Sequence, residues 1–410
     1  MDGFFSKKET ESITRPDGKS LSCISCGLFR ECKSPKIKPY GNFKKGILNI
    51  GEAPDEVDDR TGKPWQGKVG KILQRTYSKL GIDLFEDCLN INAIQCRPTD
   101  TDDNQRLPVN YEIDCCRKIV LRIIEQYKPK VIILLGQSAT YSLIGHRWKK
   151  DFGTIVKWRG WTIPDQDFKT WLCPTFHPNF IEKDERDSVA KIIWEKDLKQ
   201  AFTKINEPFP EHKKPKIDII EDLTELNNIN VSFATIDYET TGIKPHAEGH
   251  KIVCAAIAIN PDHAIVFMMP QSRSARKPFI DFLTNKKISK IAHNMKFEET
   301  WSVVKLRQPV TPWEWDTMQA AHILDNRPGI TGLKFQTFVQ FGIVDYSSEL
   351  DPYIKTTQND KDSNSLNKVN DLIATNEGQH KLLTYCAYDA IYEYRLWVQQ
   401  ASIIQNDLPF

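Results

Sequence analysis

Residues 51–70 read Gly51-Glu-Ala-Pro-Asp55-Glu-Val-Asp-Asp-Arg60-Thr-Gly-Lys-Pro-Trp65-Gln-Gly-Lys-Val-Gly70. The run before them, Gly46-Ile-Leu-Asn-Ile50, is short and apolar, as a buried strand is. Gly51 and Pro54 then force a turn crowded with acids. A Gly-Lys-Pro-Trp-Gln-Gly tract follows, and a helix is expected to begin near Lys71. A strand that empties into a rigid loop bearing acids and an aromatic ring is a common way to build a pocket at the C-terminal edge of a sheet.

The same alternation runs on through the first half. The pattern predicts a strand over 89–94, a helix over 110–127, a strand over 129–136 that ends in Gly136, and a helical turn over 138–145. A further strand over 171–176 delivers His177-Pro178 at its end. Strands alternating with helices argue for an α/β fold. The loops after the strands carry Glu52, Asp58, Trp65, Asn92 and His177, the polar and aromatic residues that a pocket for a nucleobase would use.

The 410 residues are enough for two or three domains, with 27% charged and 40% hydrophobic residues. No apolar run approaches the ~18 residues that span a bilayer, and the opening MDGFFSKKETES lacks the apolar centre of a signal peptide. The expectation is a cytoplasmic protein with no membrane partner. The net charge is only +2, but Lys and Arg gather at 33–45, 147–159 and 213–216. Such patches hold phosphates or are simply solvated faces. Ten cysteines in a reducing compartment are expected to be thiols rather than disulfides. Cys23 and Cys26 form a C-x-x-C pair, Cys96 sits in Gln-Cys-Arg-Pro, and Cys115-Cys116 open a helix-like run. A zinc site, scattered buried thiols and an iron–sulfur cluster are all compatible with that spacing.

Between 203 and 216 the periodicity stops in a Pro-rich, charged stretch, the best linker in the chain. The tract 356–370 is polar and reads as a loop. The second half opens on a strand, Ser232-Phe-Ala-Thr-Ile-Asp237-Tyr-Glu239, whose alternation puts Asp237 and Glu239 on one face. Two carboxylates so placed can share hard cations. Strands over 251–259 and 264–269 form a hairpin, and a strand ending in Asn294 leads into a helix that carries Glu298. Tyr385 and Asp389 share a face of a helix over 382–399.

Residues 20–200 resemble the family 4, iron–sulfur, uracil-DNA glycosylases. The resemblance lies in the Gly-Glu-Ala-Pro loop, the Gly-Lys-Pro-aromatic tract, Asn92 in Asn-Ala-Ile-Gln-Cys-Arg-Pro, the Lys-Pro-Lys-Val-Ile-Ile-Leu-Leu-Gly strand and the Phe-His-Pro after it. It implies a 4Fe-4S cluster on Cys23, Cys26, Cys96 and Cys116, with an insertion around 101–106. It also implies that Trp65 stacks on uracil, that Asn92 reads its edge, and that His177 donates to the leaving base. Glu52 and Asp58 become the residues that handle water. The sequence departs from the family at Asp55, where Gly is usual and a carboxylate would reach the pocket floor. Trp65 replaces Phe, and Asp58 stands where a longer Glu is usual.

From about 216 to the end, the chain resembles the 3′–5′ proofreading exonuclease domain of family A DNA polymerases. Asp237-x-Glu239, Asn294-x-x-x-Glu298 and Tyr385-x-x-x-Asp389 match its three motifs in order, and Trp315-Asp316-Thr-Met and Gly332-Leu-Lys follow its pattern. Glu298 stands where Asp is usual. The resemblance implies hydrolysis with two Mg²⁺ or Mn²⁺ ions on Asp237, Glu239, Glu298 and Asp389, with Tyr385 orienting the water. With Asp389 only about twenty residues before Phe410, the expectation is that no polymerase palm and fingers domains follow. The combination resembles phage replication proteins, whose setting is the host cytoplasm.

The expected architecture is an N-terminal α/β/α glycosylase-like domain over 1–203, a linker over 204–216, and a C-terminal ribonuclease H-like exonuclease domain over 217–410. The implied function is DNA processing by a metal-dependent 3′–5′ exonuclease, with uracil excision by the first domain. The implied partner is DNA, as single-stranded 3′ ends or uracil-containing strands. The alternative is a proofreading or DNA-binding subunit of a separate DNA polymerase whose glycosylase-like domain is inactive.

Overall fold

The structure is a computed structural model that describes residues 21–148, 150–183, 188–344, 346–355 and 364–407. The chain divides into two compact units. One comprises 1–211 with 338–344, and the other 212–337 with 345–410.

The first unit is built on β1 (Ile47–Gly51), β2 (Cys88–Asn92), β3 (Val131–Leu135), β4 (Ile163–Asp165) and β5 (Thr170–Thr175). They lie in the order β2-β1-β3-β5-β4, parallel except for β4, which runs antiparallel to β5. Every residue of these strands is buried, which requires cover on both faces. The helices are α1 (Cys23–Cys26), α2 (Glu56–Thr61), α3 (Lys68–Lys79), α4 (Asn110–Tyr127), α5 (Gln137–Thr140), α6 (Ile155–Trp158), α7 (Pro178–Lys183) and α8 (Ser188–Thr203). Ile47, Val131, Ile133, Leu135, Trp171 and Cys173 pack with Leu73 and Tyr77 of α3 and with Trp194 and Leu198 of α8.

Two local expectations change. The acid-rich turn contains α2, because Asp55 is extended (φ −88°, ψ −177°), accepts from Asp58 N, and places Glu56, Asp58 and Asp59 in the first turn, where the helix dipole favours them. The next helix, α3, starts at Lys68 rather than near Lys71. Segment 338–344 joins this unit through Phe338, whose ring lies 5.6 Å from Trp148 and 5.9 Å from Trp158. Gly342 there has φ +67° and rests on the Pro164 carbonyl, where no side chain fits.

The second unit contains β6 (Lys216–Ile219), β7 (Phe233–Thr240), β8 (Ile252–Asn260), β9 (His263–Met268), β10 (Ser289–Ala292) and β11 (Trp313–Asp316). Their order is β11-β10-β7-β8-β9-β6. β7, β8 and β9 form an antiparallel meander, and β10 and β11 extend β7 in parallel. That arrangement around β7 is the ribonuclease H-like fold. The added edge strand β6, parallel to β9, begins at the end of the expected linker, so Lys216 is already part of the sheet. The helices are α9 (Lys277–Thr284), α10 (Met295–Trp301), α11 (Thr317–Leu324), α12 (Leu333–Phe341), α13 (Asp351–Ile354), α14 (Val369–Leu372) and α15 (Asn376–Asp407).

Ala234, Ile236 and Tyr238 of β7 face Phe279, Phe282 and Leu283 of α9. On the other face, Ala256, Ala258 and Ala264 of the sheet meet Ala387 and Ala390 of α15. Those small side chains let the helix lie close. Thr235 Oγ1 donates to the Ala390 carbonyl at 2.7 Å. This close seat brings Asp389 to the face of β7 that carries Asp237 and Glu239. Residues 356–363 of the expected polar loop and the opening dodecapeptide lie outside the described residues. The end of that loop is tied down: Asn367 Nδ2 donates to the Thr240 and Ile354 carbonyls at 2.9 and 3.0 Å.

Candidate active sites

In the first unit, β1 and β2 are in register so that Gly51 lies beside Asn92. A Cβ at Gly51 would meet the Trp65 ring at 2.6 Å and would clash with Asn92 Oδ1. Glycine here allows the two side chains to converge over the strand end. Trp65 has φ +63°, a left-handed conformation costly for a bulky residue. Asp58 holds it there. One oxygen of Asp58 accepts from Gln66 N at 2.8 Å and the other from Trp65 N at 3.1 Å. Burial and the nearby Asp55 raise Asp58 to about 6, against those two bonds. Asp58 is therefore occupied in shaping the turn. Asp55 does not reach a pocket floor: it caps α2 by accepting from Asp58 N at 2.8 Å and packs on Gly67.

Glu52 lies at the N-terminal end of α5, where Oε1 accepts from Ser138 N at 3.2 Å, and burial raises its pKa. His177, delivered by β5, is lowered to about 4 by burial. Its Nδ1 accepts from Asn179 N at 3.2 Å, which assigns the proton to Nε2 and leaves a neutral donor. The rings of Trp65 and His177 lie 5.6 Å apart and tilted by 31°. The structure thus brings Trp65, Asn92 and His177 together, while Glu52 and Asp58 are engaged with backbone N–H groups.

Cys23 and Cys26 on α1, Cys96 after β2, and Cys116 on α4 also converge. Cys116 faces Cys26, Cys96 and Cys23, and burial pushes its thiol up to about 12. Cys115 lies beside Cys23 and Cys26 as well, but its thiol is engaged by the Tyr111 hydroxyl and Ser22 N. Cys32, which sequence spacing did not single out, adjoins Cys96. Asp59 fixes this corner by accepting from Lys33 N at 3.1 Å and Ser34 N at 2.8 Å. Thiols drawn from three separate segments suit a bound soft metal or cluster. Segment 101–106, where an insertion is expected, is held by Arg97, which donates to Gln105 and Asp103 at 3.0 and 3.1 Å.

Two of the cations in the basic patch at 147–159 are paired inside the unit. Arg147 pairs with Asp165, and Arg159 with Asp197 at 3.0 Å.

In the second unit, carboxylate oxygens of Asp237, Glu239 and Asp389 lie within 4.8 Å of one another. Burial and mutual repulsion raise Asp237 to about 7 and hold Glu239 well above the usual carboxylate range. Glu298 stands outside that trio but senses Asp237, and burial raises it strongly. Its Oε2 is buried with no partner, as is Oε2 of Glu393 one helical turn past Asp389. Such crowding of acids with orphaned oxygens is costly unless cations enter, so the donor set fits a hard divalent ion.

Sequence reading missed Glu393, Lys334 and Tyr346. Lys334 forms an ion pair with Asp389 Oδ1, and Tyr346 donates its hydroxyl to the same oxygen. Tyr385 is buried against Asp389. Glu298 is aimed by a turn in which Asn294 takes φ +69°, and Asp316 accepts from Asn294 N at 3.0 Å and Met295 N at 3.1 Å. Glu393 follows Asp389 at helical spacing, a signal legible in the sequence. Lys334 and Tyr346 carry none beyond the Gly332-Leu-Lys pattern.

Residues 38–206 match the Uracil DNA glycosylase superfamily. The chain is 36% identical over 161 residues to the type-4 uracil-DNA glycosylase of Saccharolobus solfataricus, covering 38% of this chain and 70% of that protein. It is also 25% identical over 335 residues to the DNA polymerase of Bacillus phage SP01; the match covers 73% of this chain and about a third (34%) of the polymerase. Among solved structures it is similar to Brucella melitensis NrnC with bound Mg²⁺, at a TM-score of 0.35 and 18% identity, over 47% of this chain and 82% of that one. With its pocket residues gathered at the ends of β1, β2 and β5, the chain belongs, through its first unit, to the type-4 uracil-DNA glycosylase family.

Proposed function

We propose that this DNA-processing protein is a metal-dependent 3′–5′ DNA exonuclease that carries a uracil-DNA glycosylase-like domain. The observation that carries the reading is the cluster of Asp237, Glu239 and Asp389 within 4.8 Å, on a strand and a helix locked together through Thr235. Asp237, Glu239 and Asp389 would hold Mg²⁺ or Mn²⁺, with Glu298 adjoining. Bound there, the ions supply an activated water and neutralise the leaving oxygen. Tyr385, buried beside Asp389, orients the water for attack on the terminal phosphorus. The P–O bond to the preceding 3′ oxygen breaks, releasing a nucleoside 5′-monophosphate.

In the first unit, Cys23, Cys26, Cys96 and Cys116 would hold a 4Fe-4S cluster that ties α1 and α4 to the end of β2. Asn92 would read the edge of an extruded uracil, Trp65 would stack on it, and His177 Nε2–H would stabilise the base anion as the glycosidic bond breaks. Glu52 and Asp58 remain the candidates for placing water. A second reading is favoured by the contact between Trp65 and His177, which fills the space a base would take. In it the domain grips DNA without cleaving, and the protein serves a separate DNA polymerase. Similarity to a longer phage polymerase supports a replication setting.

The exonuclease test uses 5′-labelled single-stranded DNA with Mg²⁺. Stepwise loss of 3′ nucleotides by wild type, abolished in Asp237→Ala, is expected. No release, or equal release by both proteins, would sink the reading. A uracil-containing strand incubated with Asp237→Ala protein, then treated with alkali, separates the two readings of the first unit.

A further inference from the structure

The ammonium of Lys334 is held from three sides. It pairs with Asp389 Oδ1, and it lies 3.9 Å from the centroid of the Tyr346 ring and 4.2 Å from that of Tyr385. The side chain is only 16% exposed. It also faces Asp237 and Glu239. The Tyr346 hydroxyl donates to the same Asp389 oxygen, so that oxygen has both neighbours engaged. A hard divalent ion at this cluster needs Asp389 as an oxygen ligand, and with Lys334 and Tyr346 both on Oδ1 the ion can reach only Oδ2, beside a competing cation. Two cations a few ångströms apart in a half-buried site repel strongly. The two aromatic faces offer Lys334 a seat that does not depend on Asp389.

We propose that Lys334 is a resident counter-ion of the carboxylate cluster that must release Asp389 when a divalent ion binds, and that the incoming phosphate becomes its new partner. The inference rests on the carboxylate cluster being a metal site. Lys334 then couples two binding events. Without a phosphate, it opposes the metal. With a phosphate present, the ammonium transfers from Asp389 to the phosphate oxygens, and metal and nucleotide bind cooperatively. Coupling of this kind is reciprocal: the metal raises nucleotide affinity by the same factor as the nucleotide raises metal affinity. Lys334 is a positioning residue in this account, setting when the site is loaded.

The test measures Mn²⁺ binding by calorimetry to the full chain, with and without thymidine 5′-monophosphate. Wild type is expected to gain about tenfold in Mn²⁺ affinity when the nucleotide is present. Lys334→Met is expected to bind Mn²⁺ about tenfold more tightly than wild type without nucleotide, and to lose the coupling. Lys334→Arg, which keeps the charge, should stay weak without nucleotide. In EDTA the Lys334→Met protein should melt below wild type and recover with Mn²⁺. Equal Mn²⁺ affinity for wild type and Lys334→Met, or coupling that survives in Lys334→Met, overturns the proposal while leaving the metal site standing. If wild type binds no Mn²⁺ at all, both the metal reading and this inference fail. Should Lys334→Met not fold, absence of nucleotide coupling in wild type still overturns the proposal.

Discussion

The indole of Trp65 and the imidazole of His177 lie 5.6 Å apart with 31° between their planes. Rings in contact sit about 4.5–7 Å apart, so these two touch and leave no slot between them for a third ring. Trp65 is only 7% exposed, pinned by Asp58 from below and resting on Gly51. Trp65→Phe replaces the indole with a smaller ring and opens space beside His177. In an Asp237→Ala background, this variant should bind a uracil-containing single strand about tenfold more tightly than the parent, as one lost hydrophobic contact or clash permits. Anisotropy with a labelled oligonucleotide measures it, and equal affinities would mean that Trp65 does not occlude the pocket.

His177 and Asp58 should give opposite pH signatures. His177 is depressed from 6.5 to about 4, so the folded protein binds its proton less readily than the unfolded chain. Its contribution to stability is full above 6.5 and is lost as pH falls toward 4. Asp58 is raised from 3.8 to about 6, so its contribution is full below 3.8 and is lost as pH rises through 6. Melting temperatures from pH 4 to 7 should show a steeper fall toward acid in Asp58→Asn than in wild type, and a shallower one in His177→Gln. Imidazole ¹⁵N spectra should show His177 neutral, protonated at Nε2, at pH 5.

Asp316 joins two turns through one carboxylate. Besides Asn294 N and Met295 N, it accepts from Met318 N at 2.9 Å and Gln319 N at 3.3 Å. Hydrogen bonds to a charged acceptor contribute about 1.5–3 kcal/mol each, and they are not additive here. Asp316→Ala should cost about 3 kcal/mol in urea unfolding and release Glu298 from its aim. Asp316→Asn, which keeps one acceptor oxygen, should lose less. Identical midpoints for all three proteins would contradict this role.

The thiol corner predicts an asymmetry between adjacent cysteines. Cys116→Ser should abolish bound iron and the visible absorbance of purified protein. Cys115→Ser should retain both, because Cys115 is turned to Tyr111 and Ser22. Iron content per chain decides it, and the reverse pattern would exchange the two assignments.

Strands β1 and β3 were legible because they are short, mainly apolar runs bounded by Gly or Pro. Helix 110–127 could be read to its ends from apolar spacing. Strands β4 and β6 were not, since edge strands of three or four residues leave no periodicity to read. The α2 helix had its signal in Asp55-x-x-Asp58, a capping residue followed by acids, yet the Gly and Pro around it read as a turn. Asp237, Glu239 and Asp389 announced themselves by motif. Lys334 and Tyr346 reach Asp389 only through contacts distant in sequence, which no local pattern encodes. Glu52 and Asp58 carry contacts that residue type alone does not reveal: each carboxylate also accepts from backbone N–H groups of its own loop or of a neighbouring helix start.

The seven residues at 338–344 pack with the first unit although they lie inside the sequence of the second. A cut within 204–216 therefore does not yield the glycosylase-like unit intact. A fragment ending there would lack Phe338, leaving one side of Trp148 and Trp158 open to water, and it would invite aggregation. Truncation that removes the second unit therefore also strips these residues from the first, so the first unit's integrity depends on chain that follows it by more than a hundred positions.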